Sequence, residues 1–225
     1  MRYKLAVILA GVAGILLARN LYVMMLVLPD EVAQGPIFRI IFFHVPAAWT
    51  AFLCWFASLV ASVVYLAKKD LKYDSFAASV TEVGLAFGAA NLVSGMFWGR
   101  IIWGVWWTWD FRLTSMLVAC LLYAGYVMLR RAVDDPTERA RMSAVLSIFA
   151  FADVPIIWFS IRWWRTQHPQ PVFGGGGGLD PAYWNMLFLN WVPILMVAAA
   201  LLLVRMAQEK QQRAIDALRR EAHVF

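Results

Sequence analysis

The chain has 225 residues, of which 62% are hydrophobic and 15% charged, with a formal net charge of +6. With a mean hydropathy of +0.66 it is not an ordinary soluble domain. The positive charge is not read as nucleic-acid affinity, and no nucleic-acid partner is expected. Both cysteines, Cys54 and Cys120, lie inside apolar runs with no partner at C-x-x-C spacing, and read as small buried hydrophobes.

A helix crosses the hydrocarbon core of a bilayer with about 20 mainly apolar residues. Six segments qualify: roughly 5–28, 46–67, 77–97, 113–129, 142–161 and 182–204. The expectation is an all-α polytopic membrane protein, one integral domain over 1–225, with a tryptophan-rich loop at 98–112. The first segment has Arg2 and Lys4 ahead of its apolar stretch, like a secretory signal. Its apolar character resumes after Arg19 through Leu28 and no A-x-A site follows, so it is read as an uncleaved anchor.

Lysine and arginine in the connections orient the spans. Fourteen of the 20 fall on the side of the two termini, five fall on the other, and Arg19 lies within the first span. Both termini are therefore expected in the cytoplasm, and the 98–112 loop outside. Arg19 reads as a snorkelling side chain. Glu82 is expected to reach the interface or to pair with Lys69 or Lys72. Asp153, mid-span and two residues before Pro155, is either a functional intramembrane acid or a protonated side chain serving carbonyls freed by the proline. Gly174–Gly178 reads as a flexible outward loop, and the tail after Arg205 as a short amphipathic surface helix.

Five of the twelve tryptophans fall between Trp98 and Trp109, with Gly99 and Gly104 among them and Asp110 closing the run. Two readings stand side by side. Indoles settle at headgroup level, which makes an interfacial belt. Rings interleaved with glycines also make a platform on which a flat ligand approaches the backbone. Of three histidines, His223 is in the tail, whereas His44, two residues before Pro46, and His168, after the fifth span, both fall on the tryptophan side.

The run Trp103-Gly104-Val105-Trp106-Trp107-Thr108-Trp109-Asp110, followed by Phe111-Arg112-Leu113-Thr114-Ser115, resembles the WWD signature of bacterial haem-handling membrane proteins. The resemblance is to the haem exporter protein C family of the cytochrome c maturation system. It extends to Phe43-His44-Val45-Pro46-Ala47-Ala48 and to Trp163-Trp164-Arg165-Thr166-Gln167-His168.

Given that resemblance, non-covalent, transiently held haem b explains the constellation. Porphyrin iron accepts one imidazole on each face, so His44 and His168 are the expected axial ligands. Trp98, Trp103, Trp106, Trp107 and Trp109 would cover the macrocycle. Asp110 is a candidate to orient a ring nitrogen or to fix the loop. Arginine matches a propionate with two parallel hydrogen bonds, and the resemblance favours Arg39 and Arg112. A zinc site fits poorly with two histidines and no third ligand. The absence of C-x-x-C-H excludes covalently attached c-type haem on this chain.

The resemblance implies a bacterial inner-membrane protein with its haem site on the periplasmic side. It further implies a periplasmic haem chaperone as recipient, the ATPase and membrane subunits of an ABC transporter, and a small single-span membrane protein. There is no catalytic motif and no G-x-x-x-x-G-K-[ST] loop, so ATP hydrolysis belongs to a partner. Three rivals are weighed. A cytochrome b subunit would hold histidines within the bundle. A haem–protein synthase would need more periplasmic chain. A transporter subunit anchored by its tryptophans would show no haem spectrum. Reporter fusions after Arg130 are expected to behave as cytoplasmic and those within Gly174–Gly178 as periplasmic; the opposite pattern would invert every placement above.

Overall fold

The computed structural model describes residues 2–168 and 179–222, all of it helical apart from short connections. The helices are α1 (Arg2–Leu26), α2 (Ile41–Lys68), α3 (Leu71–Trp103), α4 (Phe111–Ala132), α5 (Pro136–Phe151), α6 (Asp153–Trp163) and α7 (Pro181–Ala222). A 3-10 turn, Pro36–Ile40, runs directly into α2. Six helical stretches are long and apolar enough to cross a membrane, α5 and α6 together making one of them. Both described ends of the chain thus lie at one end of the bundle. His223 and Gly174–Gly178 fall outside the described residues.

Several boundaries differ from those expected. Helix α3 runs on to Trp103, so Trp98 and Trp103 stand on a helix and only 104–110 is loop; Gly104, at φ 76°, supplies the left-handed residue that stops it. The tail is not a separate surface helix but continues α7 to Ala222. The fifth span breaks at Ala152, ahead of Asp153 and Pro155, where the proline cannot donate into the helical ladder. The Oδ2 atom of Asp153 has no hydrogen-bond partner there among the described residues.

Packing is densest between α2 and α3. Trp55 of α2 is fully buried and stacks on Tyr123 of α4, with ring centroids 4.5 Å apart and planes at 11°. Its indole lies where Gly84 and Gly88 of α3 have no side chain: a Cβ on either would come within 2.8 or 3.0 Å of the ring. Polar contacts add specificity, as helix pairs in lipid require. Ser58 of α2 meets Thr81 of α3 at 2.6 Å and Ser147 of α5 at 3.0 Å.

Two prolines inside spans are answered by asparagines. Pro46 has no N–H for the Phe42 carbonyl one turn back, and Asn190 of α7 donates to that oxygen instead at 2.6 Å. Pro193 likewise frees the Leu189 carbonyl, which receives Asn20 of α1 at 3.0 Å. The two asparagines also touch, at 3.3 Å, so one polar pair binds α1, α7 and α2 in the apolar interior. Arg19 donates to the Asn20 side-chain oxygen at 3.1 Å.

The end that carries the termini is held by ion pairs. Arg130 of α4 grips buried Asp74 of α3 with two hydrogen bonds, 2.6 and 3.1 Å, and also reaches Glu209 of the α7 extension at 3.2 Å. Arg213 joins the same two carboxylates. Glu82 pairs with Arg205 at 2.6 Å, not with Lys69 or Lys72. These pairs explain why α7 continues as a helix beyond its apolar portion.

Asn190→Ala is expected to lower stability by about 1–2 kcal/mol, because it leaves the buried Phe42 carbonyl without a donor. Thermal unfolding of the detergent-solubilised protein measures this, with exposed Gln211→Ala as the neutral reference.

Candidate functional site

At the opposite end of the bundle a cavity of about 310 Å³ opens among α2, α3, α4, α6 and the segment after α6. That volume is at the lower end of the range for small-molecule sites. Of the residues singled out from the sequence, His44, His168, Trp98, Trp103, Trp107 and Arg112 line it. Segments more than 100 residues apart thus converge.

His44 stands in the first turns of α2, where the 3-10 turn delivers the chain. Its ring lies against Gly95 of α3; a Cβ there would be 3.0 Å from the ring's Cε1. Ser94 Oγ is 3.0 Å from His44 Nδ1, and the Ser94 hydroxyl donates to the Asn91 carbonyl, also at 3.0 Å. With its one proton so committed, Ser94 accepts from His44 Nδ1–H, and the lone pair lies on Nε2, where the Asn91 side-chain amide, 3.3 Å from both ring nitrogens, stands as a donor. Asn91 anchors the backbone by donating to the His44 carbonyl at 3.0 Å. Trp98 meets the imidazole edge-on at 5.6 Å and is itself held by donating from Nε1 to Gln34 at 2.8 Å.

His168 faces His44 across the cavity, with ring centroids 6.4 Å apart and planes inclined by 30°. Asp110 sets its position at one remove. One carboxylate oxygen caps α4 by accepting from the Leu113 amide at 2.9 Å. The other accepts from the Thr166 hydroxyl at 2.7 Å, whose oxygen accepts from the His168 amide at 3.0 Å. Phe111 stacks on Trp164 at 4.4 Å and pins the same segment. The end of the tryptophan run is therefore tied to the second histidine through a helix cap.

The other tryptophans divide. Trp103 folds back over Gly99, where a Cβ would meet its ring at 3.0 Å. Trp107 lines the cavity, and its buried Nε1–H has no acceptor among the described residues. Trp106, half exposed, packs on Phe97, and Trp109, 78% exposed, leans on Trp107; neither lines the cavity. Arg112 lines it with one long hydrogen bond, 3.4 Å to the Ile157 carbonyl. Arg39 is elsewhere: its guanidinium donates to the Met24 carbonyl at 2.6 Å and the Leu28 carbonyl at 2.9 Å and pairs with Asp30, closing the end of α1.

Asn91, Ser94 and Gly95 were not singled out from the sequence. The signal was there: 91, 94, 95, 98 and 99 recur at helical spacing and form one face of α3. That face is only meaningful once α3 is known to continue to Trp103. Among the described residues no three His, Cys, Asp or Glu side chains gather into a metal site of their own.

Fold and cavity together define a polytopic all-α membrane protein with an aromatic chamber at one end, in which two imidazoles face each other. A family model described as Heme exporter protein C matches residues 1–221. The chain is 38% identical over 212 residues to Heme exporter protein C of Bradyrhizobium diazoefficiens, covering 93% of this chain and 80% of that one. With the protein of the same name from Escherichia coli K12 it is 35% identical over 178 residues, 79% of this chain and 72% of that one. The Paracoccus denitrificans protein is 32% identical over 193 residues, with coverage of 84% and 80%. The chain belongs to the heme exporter protein C family.

Asp110→Ala is expected to remove the α4 cap, at about 1 kcal/mol, and to release the segment carrying His168. Hydrogen exchange of the 164–168 amides should then rise well above wild type. Thr166→Val should raise that exchange while leaving the cap intact.

Proposed function

We propose that the chain binds haem b in this cavity, with His44 and His168 as axial ligands, and passes it on during cytochrome c maturation. The single observation that carries the reading is the pair of facing imidazoles. With metal–imidazole bonds of ~2 Å, two axial rings on one metal have centroids about 6 Å apart, and the spacing here is 6.4 Å. The neutral His44 tautomer with its lone pair on Nε2 is the form a metal takes, in exchange for the 3.3 Å contact from the Asn91 amide, and the Ser94 contact is the outer partner that orients such a ligand.

The surrounding residues suit the rest of the molecule. Trp98, Trp103 and Trp107 supply flat apolar walls. Arg112 and the Trp107 Nε1–H are donors at the cavity without a strong acceptor of their own. Carboxylates at one edge of the ligand would satisfy both, and without such partners their desolvation would oppose binding. Arg39 is less suited than Arg112, since its donors are already used on α1.

The two ligands are held unequally, which favours transfer over a fixed electron-carrying haem. His44 sits on a helix packed from several sides. His168 sits on an irregular segment whose contacts with the bundle include the Thr166 hydroxyl on Asp110 and the Trp164 ring on Phe111, outside the packed helices that hold His44. Exposed Trp109 beside this segment marks the face where a recipient docks. In this reading the charge-rich end is cytoplasmic by the excess of lysine and arginine, and the cavity is periplasmic. The recipient is a periplasmic haem chaperone. The ABC transporter ATPase and membrane subunits and the small single-span protein complete the assembly, with the ATPase doing the hydrolysis for which this chain has no motif.

His44→Ala or His168→Ala should each abolish a low-spin bis-imidazole spectrum in the haem-loaded protein, whereas His223→Ala should not. Retention of that spectrum in both cavity variants would refute the ligation. Arg112→Ala is expected to weaken haem retention by roughly 1–3 kcal/mol. Arg112→Lys should recover only part, because it lacks the planar fork; haem occupancy after purification reads both.

A further inference from the structure

A second cavity, larger than the first at about 820 Å³, lies at the charge-rich end between the end of α4, the start of α5 and the α7 extension. We propose that this cleft is a binding site for a phosphate-bearing anion, with an anionic phospholipid headgroup and a soluble phosphate compound as its two possible sources.

Charge is the first argument. Seven arginines line the cleft, against four carboxylates, and Asp74 beneath them makes five, so a surplus of two positive charges remains. Four of the arginines are used by the ion pairs that build its walls. The other three, Arg131, Arg219 and Arg220, make no ion pair with any described residue, and neither does Asp134 beside them. Three arginines and one carboxylate on the same cleft leave a local positive charge that favours an anion.

Unused donors are the second argument. The Nε–H groups of Arg139 and Arg205 are buried at the cleft and have no acceptor among the described residues. Arg139 is joined to Asp216 only at 3.6 Å. Buried guanidinium donors without acceptors are uncommon, and a phosphate offers several strong acceptor oxygens to several donors at once.

Position is the third. The cleft is lined in part by Val127 and Glu82, which belong to membrane-spanning helices, with Arg130 and Arg131 at the end of α4 and Arg205 where the apolar run of α7 gives way to its charged extension. A headgroup phosphate lies at that depth, and basic pockets between helix ends are its usual receptor. Ile215 and Leu218, three residues apart on the α7 extension, are 45% and 65% exposed and give the same extension an apolar edge.

The test uses the full-length protein in nanodiscs of phosphatidylcholine alone, with added phosphatidylglycerol, or with free pyrophosphate in the buffer. Bound anion is counted by native mass spectrometry and stability by thermal unfolding. Phosphatidylglycerol should be retained and should raise the unfolding midpoint. The Arg131→Ala/Arg219→Ala/Arg220→Ala variant should bind roughly fivefold more weakly per arginine removed. These three side chains hold no ion pair, so the network beneath them stays intact. Lys68→Ala/Lys69→Ala/Lys72→Ala, which removes equal charge nearby, should bind as wild type. Binding of pyrophosphate in neutral lipid, lost in the arginine variant, would support the site with a soluble source. Absence of both anions, or equal loss in the lysine variant, would overturn the proposal.

Discussion

Four glycines of α3, at 84, 88, 95 and 99, fall within about 60° of one another around the helix, and large rings lie against the backbone they expose. Trp55 of α2 occupies the space over Gly84 and Gly88, His44 of α2 lies against Gly95, and Trp103 returns over Gly99. In a bilayer the hydrophobic effect does not drive one helix against another, so close contact of this kind supplies much of the attraction. The same contact determines where His44 is. Because α2 lies so near α3, Asn91 and Ser94 reach its carbonyl and its Nδ1. The contact that holds the bundle together also orients the His44 imidazole.

The second histidine depends on a different device. A carboxylate at a helix N-terminus is stabilised by the amides it accepts and by the helix dipole. Asp110 uses one oxygen for that purpose and has another left for Thr166. The two histidines are thus supported unequally. His44 is part of the packed core, and His168 rides on a short irregular segment tied to the cap of α4 through Thr166. This asymmetry is the structural basis of the haem transfer proposed above.

The two ends of the bundle divide the labour between apolar and ionic chemistry. At the aromatic end, indoles and imidazoles surround a cavity with few charges. At the other, Asp74, Arg130, Glu209 and Arg213 form a buried network that joins α3, α4 and the α7 extension. Breaking one partner of such a network leaves an uncompensated charge and is strongly destabilising, so the extension of α7 is held firmly, and the arginine cleft with it.

Hydropathy and charge placement alone were enough to determine the six spans, the shared side of the two termini and the gathering of His44, His168 and the tryptophans at one end. Those properties are set by runs of residues along one chain, and the bilayer reads them directly. Sequence could not separate the tryptophans that line the cavity from Trp106 and Trp109, which do not, because that depends on where α3 stops. Nor could it give Arg39 its place at the end of α1, Glu82 its partner Arg205, or Asn190 its task at the Phe42 carbonyl. Each of these is a contact between helices distant in the chain. Which side chains meet across a bundle is decided by how closely the helices approach and how they are rotated, and only the packed structure contains that information.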